Sequence, residues 1–102
     1  MLNIDWVKEK ISSNNYVITK HGNFERQNDN ILLVELEETI VNGRILESYA
    51  DTGRGESCLV AGFSKNGKPI HCVVGERYDK LVIITVYVPT PPKFKNIFER
   101  GE

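Results

Sequence analysis

Residues 81–88 read LVIITVYV. An unbroken run of apolar and β-branched residues favours a strand with both faces covered, hence one inside a sheet. The turn-forming residues Glu76 to Lys80 precede it, and Pro89, Pro91 and Pro92 follow. Proline cannot donate to a ladder, so the strand stops there. Working backwards, Pro69 to Gly75 reads as a second extended segment and Ser57 to Phe63 as a third. Between those two lies Asn66-Gly67, a hairpin dipeptide. Asp51 to Glu56 reads as a turn or flexible loop, and Arg44 to Tyr49 as one more strand.

Before residue 43 the period is helical. Leu32, Leu33, Leu36, Ile40 and Val41 recur at three- and four-residue spacing, with Glu35, Glu37 and Glu38 off that stripe as a solvated face. Asn42-Gly43 stops the helix. An earlier helix is expected from Ile4, Val7 and Ile11, capped by Asn3. Tyr16 to Ile18 is a short apolar stretch, and residues 22–30 read as a helical turn or a loop. The expected fold is therefore α+β: two N-terminal helices packed on one face of a four-stranded antiparallel sheet, a single domain over 1–102. The tail after Phe94 is polar, with Ile97 and Phe98 as the pair to dock on the domain.

The chain has 102 residues, 40% hydrophobic and 26% charged, and a formal net charge of −1. That composition fits a folded domain and argues against a protein that coats nucleic acid through a basic excess. The opening MLNIDWVKEK has no signal-peptide pattern, and no apolar run is long enough to span a bilayer. The expectation is a cytoplasmic protein with no membrane association. Cys58 and Cys72 sit in apolar runs and read as buried, reduced thiols. The spacing of His21, Cys58, His71 and Cys72 matches no strong ligand pattern, so no metal site and no cofactor are expected.

Strand alternation puts Ile70, Cys72 and Val74 on one side and His71 and Val73 on the other. In the last strand it groups Val82, Ile84, Val86 and Val88 against Ile83, Thr85 and Tyr87. If the valine set packs on the helices, His71, Thr85 and Tyr87 share the uncovered face. The only other histidine, His21, stands where the first apolar stretch breaks. Two histidines in one hollow can act as base and acid in phosphodiester cleavage. The alternatives are structural: a half-buried His71 bonded to a neighbour, and a His21 that braces a turn.

The stretches ITKH (18–21), IVNGRILESY (40–49), SCLVAGF (57–63), GKPIHCVV (67–74) and LVIITVYVPTPPKF (81–94) together resemble a widespread bacterial and archaeal domain that carries a domain-of-unknown-function label. The resemblance covers residues 16–94, and the domain is similar in layout to the RelE, ParE and BrnT group of small toxins. It implies the toxin half of a type II toxin–antitoxin pair, a RelE-like or BrnT-like metal-independent endoribonuclease acting on messenger RNA, often at the ribosome. The implied partners are a cognate antitoxin, of zinc-finger or other type, and RNA or the ribosome. The family's recurrent polar positions fall on His21, His71, Thr85 and Tyr87. The catalytic candidates are His21, His71 and Tyr87; the RNA-binding candidates are Lys20, Arg26, Arg54 and Thr85. Gly22 stands where members often have alanine, Glu25 where they often have arginine (Arg26 follows), and Phe94 where tryptophan is common. The rival expectations are a noncatalytic protein-binding module and a ParE-like toxin that acts by binding.

Overall fold

The computed structural model describes residues 2–51, 53, 55–90 and 94–100. Arg54, Pro91 and Pro92 therefore lie outside the described residues. The fold is α+β, with helices α1 (Ile4–Ser12), α2 (Lys20–Asn28) and α3 (Leu33–Asn42). The main sheet has five strands, in the order β1 (Tyr16–Ile18), β5 (Lys80–Tyr87), β4 (Pro69–Arg77), β3 (Ser57–Phe63) and β2 (Arg44–Tyr49). Two short strands, β6 (Phe94–Asn96) and β7 (Glu99–Arg100), pair with each other.

Besides the small β6–β7 pair, the expected count of two helices and four strands falls short in two places. Tyr16 to Ile18 is a fifth strand, parallel to β5. Residues 20–28 form a helix although Gly22 is its only buried residue. That helix is held by polar bonds rather than by an apolar stripe. The Thr19 hydroxyl caps it, accepting from the Gly22 N–H at 3.0 Å, and donates to the Ile84 carbonyl at 3.1 Å. The Glu25 and Asp29 carboxylates accept the Val86 and Val88 N–H groups at 3.2 and 2.8 Å. So α2 takes over the edge of β5 where β1 ends, satisfying donors a longer β1 would otherwise bond. A Cβ on Gly22 would stand 3.0 Å from the Ile84 carbonyl oxygen, so the missing side chain lets the helix lie against that backbone.

The core lies between α1, α3 and the inner face of the sheet. Val7, Ile11, Leu36 and Ile40 pack with Cys58, Val60, Ile70, Cys72, Val74, Leu81, Ile83 and Val86. As expected, β5 is an interior strand. Its side-chain sorting differs from simple alternation. The β4–β5 register shifts between Val73 and Val74, pairing Val73 with Thr85 but Val74 with Ile83. The extra residue in β5 turns the phase of everything before it. Leu81 and Ile83 are therefore core, while Val86 keeps its expected side.

The α3 stripe is also rotated from its expected phase. Leu36 and Ile40 are buried, with Thr39 and Glu35 beside them, whereas Leu32, Leu33 and Val41 are exposed. None of the three expected solvated acids is left to water alone. Glu35 accepts from Lys68 Nζ at 2.8 Å, from Asn66 Nδ2 at 3.0 Å and from the Leu32 N–H at 2.8 Å. Glu37 accepts the Tyr16 hydroxyl at 2.5 Å, and Glu38 accepts the Lys65 N–H at 3.0 Å. Glu35 and Glu38 tie α3 to the β3–β4 turn, and Glu37 ties it to β1.

Candidate functional site

Opposite the helices, the outer face of the sheet presents two ends of different character. At one end β4 and β5 bring His71 and Tyr87 together as cross-strand partners. Their rings meet edge to face at 5.4 Å, and His71 Nδ1 lies 3.3 Å from the Tyr87 hydroxyl. On the ring's other side Nε2 lies 2.5 Å from the Ile97 carbonyl oxygen. A carbonyl only accepts, so Nε2 carries a proton; in the neutral ring Nδ1 then accepts from Tyr87.

The sequence reading leaves this face open with His71 exposed on it. The structure keeps His71 on the outer side but buries it completely. The cover comes from the C-terminal segment. Phe98 stands edge to face against Phe63 at 6.1 Å, and the Arg44 guanidinium lies 3.9 Å over the Phe98 ring. Those contacts hold Ile97 over the imidazole.

At the other end the face opens into a groove of ≈ 450 Å³. Val82, Ile84 and Gly75 line it together with Tyr49, Ser57 and Arg77. The Tyr49 hydroxyl donates to Glu47 at 2.6 Å, which fixes its ring on the wall. A Cβ on Gly75 would come within 3.2 Å of the Glu56 carbonyl oxygen and 3.4 Å of Ile84, so glycine keeps this end of the groove clear. Sequence reasoning missed the groove. The available signal was a glycine within a strand pattern, which often marks close backbone approach.

The other candidates lie apart from His71. His21 is exposed on α2, with Nε2 3.4 Å from Glu25, and β5 stands between α2 and the strand that carries His71. The expected convergence of the two histidines in one hollow is therefore not formed. The cause is α2: it places His21 past the β5 edge instead of leaving it on a loop that could fold over the sheet. Arg26 is committed internally, donating to Asn23 Oδ1 at 3.1 and 2.7 Å and to the Ile31 carbonyl at 2.8 Å. Lys20 is exposed beside β1. Thr85 is half-buried opposite Val73, next to the bulge. Arg54 lies outside the described residues.

Burial raises the Cys58 thiol to about 11, and burial together with Cys58 nearby raises Cys72 as well. Both are free and buried, a setting in which the nucleophilic thiolate is disfavoured. Burial and the bond to Glu37 push Tyr16 up to about 12. The hydrogen bonds from Lys68 and from the Leu32 backbone hold Glu35 down at about 2.

The family model described as a domain of unknown function, DUF4258, matches residues 18–88. The chain belongs to the DUF4258 family. No curated protein and no solved structure matches it. The DUF4258 segment runs from the last residue of β1 to the residue after β5, so it contains His21, His71, Thr85, Tyr87 and the groove. Helix α1 and the Ile97–Phe98 cover fall outside it. No helix among the described residues is long and apolar enough to cross a membrane.

Proposed function

We propose that this DUF4258 chain is a RelE/BrnT-like toxin-type domain of a toxin–antitoxin pair, acting on RNA at the outer face of its sheet. The sequence resemblance supplies the class. The carrying observation is that His71, Thr85 and Tyr87, three of the four positions implied by the resemblance, sit on adjacent strands of the face left free by the helices. In this reading the two-histidine scheme is replaced by a His71–Tyr87 pair. Once the Ile97 carbonyl leaves, the neutral ring moves its proton from Nε2 to Nδ1 and donates Nδ1–H to the Tyr87 hydroxyl oxygen. Nε2 then takes a proton from a ribose 2′-hydroxyl; the 2′-oxygen bonds to the adjacent phosphorus as the 5′-oxygen leaves with a proton from water. The reading invokes no metal and no cofactor. The cognate antitoxin is the implied protein partner, and the cytoplasm the implied compartment.

One observation favours a second reading. His71 is wholly buried in the state described, which suits a domain that acts by binding alone, as a noncatalytic module or a ParE-like toxin. Induced expression separates the two. The cleaving toxin arrests growth and cuts ribosome-bound messenger RNA, and Tyr87→Phe, which keeps the ring, lowers cutting by about tenfold or more. Growth arrest with intact RNA establishes the binding reading. Unaffected growth and intact RNA with the folded wild-type chain sink the toxin reading.

A further inference from the structure

The main sheet has two edges, and only one of them is blunted by a bulge and charges; the other, β1, is short but uncharged. Along β2 the ladder is interrupted by a register shift between Ile45 and Glu47, and the exposed Arg44 and the Glu47–Tyr49 pair lie on the strand. Bulges and charges of this kind discourage strand addition. The β1 edge carries neither. Asn15 O accepts from the Leu81 N–H at 3.2 Å, and the Thr19 N–H donates to Ile83 O at 2.9 Å. In a parallel ladder alternate residues bond the same neighbour. Asn15, Val17 and Thr19 therefore face β5, and the N–H and C=O groups of Tyr16 and Ile18 face away from the sheet.

Beside that edge runs a groove of ≈ 520 Å³ lined by Asn14, Tyr16, Val17, Lys20, Asn23 and Leu33, among others. Val17 and Leu33 are 47% and 44% exposed, and Phe24, Leu32 and Val34 nearby in sequence are exposed as well. Among the described residues lining it, Lys20 is the one charged side chain, with Glu37 engaged by the Tyr16 hydroxyl behind the wall. Main-chain groups in alternation, exposed apolar side chains beside them and one cation describe a complement. It is an extended polypeptide with apolar residues at alternate positions and a carboxylate at the Lys20 end. A second copy of this chain fits less well. Three residues of β1 give a rigid edge of about 10 Å, and pairing two such short edges does not by itself supply the roughly 1,200 Å² that a stable interface buries. A free segment can pair with β1 and continue onto Leu33.

We propose that the open edge of β1 is a strand-addition site for an extended, acidic-and-apolar segment of a protein partner. The site lies at the edge of the sheet, and its test reads nothing from the reaction proposed on the outer face. The probe is a short capped peptide of alternating valine and threonine with one glutamate, titrated into the full isotope-labelled chain. The Tyr16 and Ile18 amides slow their hydrogen exchange by about tenfold or more when the peptide pairs with them. Val17→Lys, a change at an exposed side chain, weakens binding by about tenfold with an unaltered melting curve, and a peptide with lysine for glutamate binds about fivefold more weakly at low salt. The proposal is overturned if both amides exchange at their free rate in saturating peptide. It is equally overturned if a short oligouridine gives the same slowing. Slowing that grows with protein concentration in the absence of peptide makes the occupant a second copy and sinks the partner assignment.

Discussion

On the inner face of the sheet, Leu36 and Ile40 of α3 meet Val60, Ile70 and Val74 with no exposed surface on any of them. On the outer face, the covered end rests on one imidazole, one tyrosine and the Ile97–Phe98 contact, while the other end stays open as a groove. The inner face is closed by continuous apolar area and by carboxylates tied to named donors. The outer face is closed at one end by aromatic and polar contacts that Ile97 and Phe98, from outside the DUF4258 segment, make with His71, Phe63 and Arg44 inside it, beside the buried Leu59 and Ala61. The difference assigns the faces separate work. The inner one sets the stability of the whole molecule, and the outer one can open locally at small energetic expense.

The sharpest break of that comparison is a truncation in the inner core. Ile40→Ala removes methylene and methyl groups from a fully buried site, leaving a cavity that the surrounding strands refill only in part. The expected loss is about 2–5 kcal/mol, measured by urea unfolding. A loss below about 1 kcal/mol would mean the inner face is not the close-packed one.

A smaller effect separates the polar fastening of the inner face from its apolar packing. Glu35→Gln keeps the shape but weakens the bonds from Lys68, Asn66 and the Leu32 N–H, with an expected loss of about 1–3 kcal/mol near neutral pH. The sign with pH follows from the depressed carboxyl. Its folded value is about 2 against an ordinary 4.5. The unfolded chain therefore takes up the proton first as pH falls. The stabilisation is complete above 4.5 and drains away between 4.5 and about 2. Wild-type and Glu35→Gln stabilities should converge as pH is lowered through that window. A gap that stays constant from pH 7 to pH 3 would assign the effect to packing.

These inner-face features were unequally legible in the sequence. The run at 81–88 identified an interior strand because nearly every side chain in it is apolar, whichever way it points. The same uniformity hid the bulge: a strand apolar on both sides gives no alternation from which a phase slip can be read. The α3 phase was misread because Glu35 counted as a solvent residue. Its burial depends on Lys68 and Asn66, more than thirty positions away. Helix α2 escaped notice because its anchors are a threonine and two carboxylates bonded to β5 backbone, a pattern with no helical hydrophobic period. At the site, alternation placed His71 and Tyr87 on one face correctly. What no local pattern shows is the cover: Ile97 and Phe98 read as a pair able to dock, without an address. That address depends on Phe63 and Arg44, residues from two other strands.

The least costly change should act only on the outer face. Phe98→Ala removes the ring packed against Phe63 and beneath the Arg44 guanidinium. An aromatic pair of this kind contributes about 0.5–1.5 kcal/mol beyond its buried area, so the global unfolding midpoint should move little. The local consequence is expected to be larger. With its anchor gone, the segment carrying the Ile97 carbonyl spends more time away from His71 Nε2, and the imidazole meets solvent. Diethyl pyrocarbonate, which acylates accessible imidazoles, should modify the exposed His21 at similar rates in both proteins. It should modify His71 about tenfold faster in Phe98→Ala than in the wild type. The rate at His21 is the internal control, because its ring is exposed on α2, 3.4 Å from Glu25 and apart from the C-terminal cover. Equal protection of His71 in both proteins would show that the cover does not hinge on Phe98. The outer face would then be as firmly shut as the inner one, and the proposed access of RNA to the His71–Tyr87 pair would lose its route.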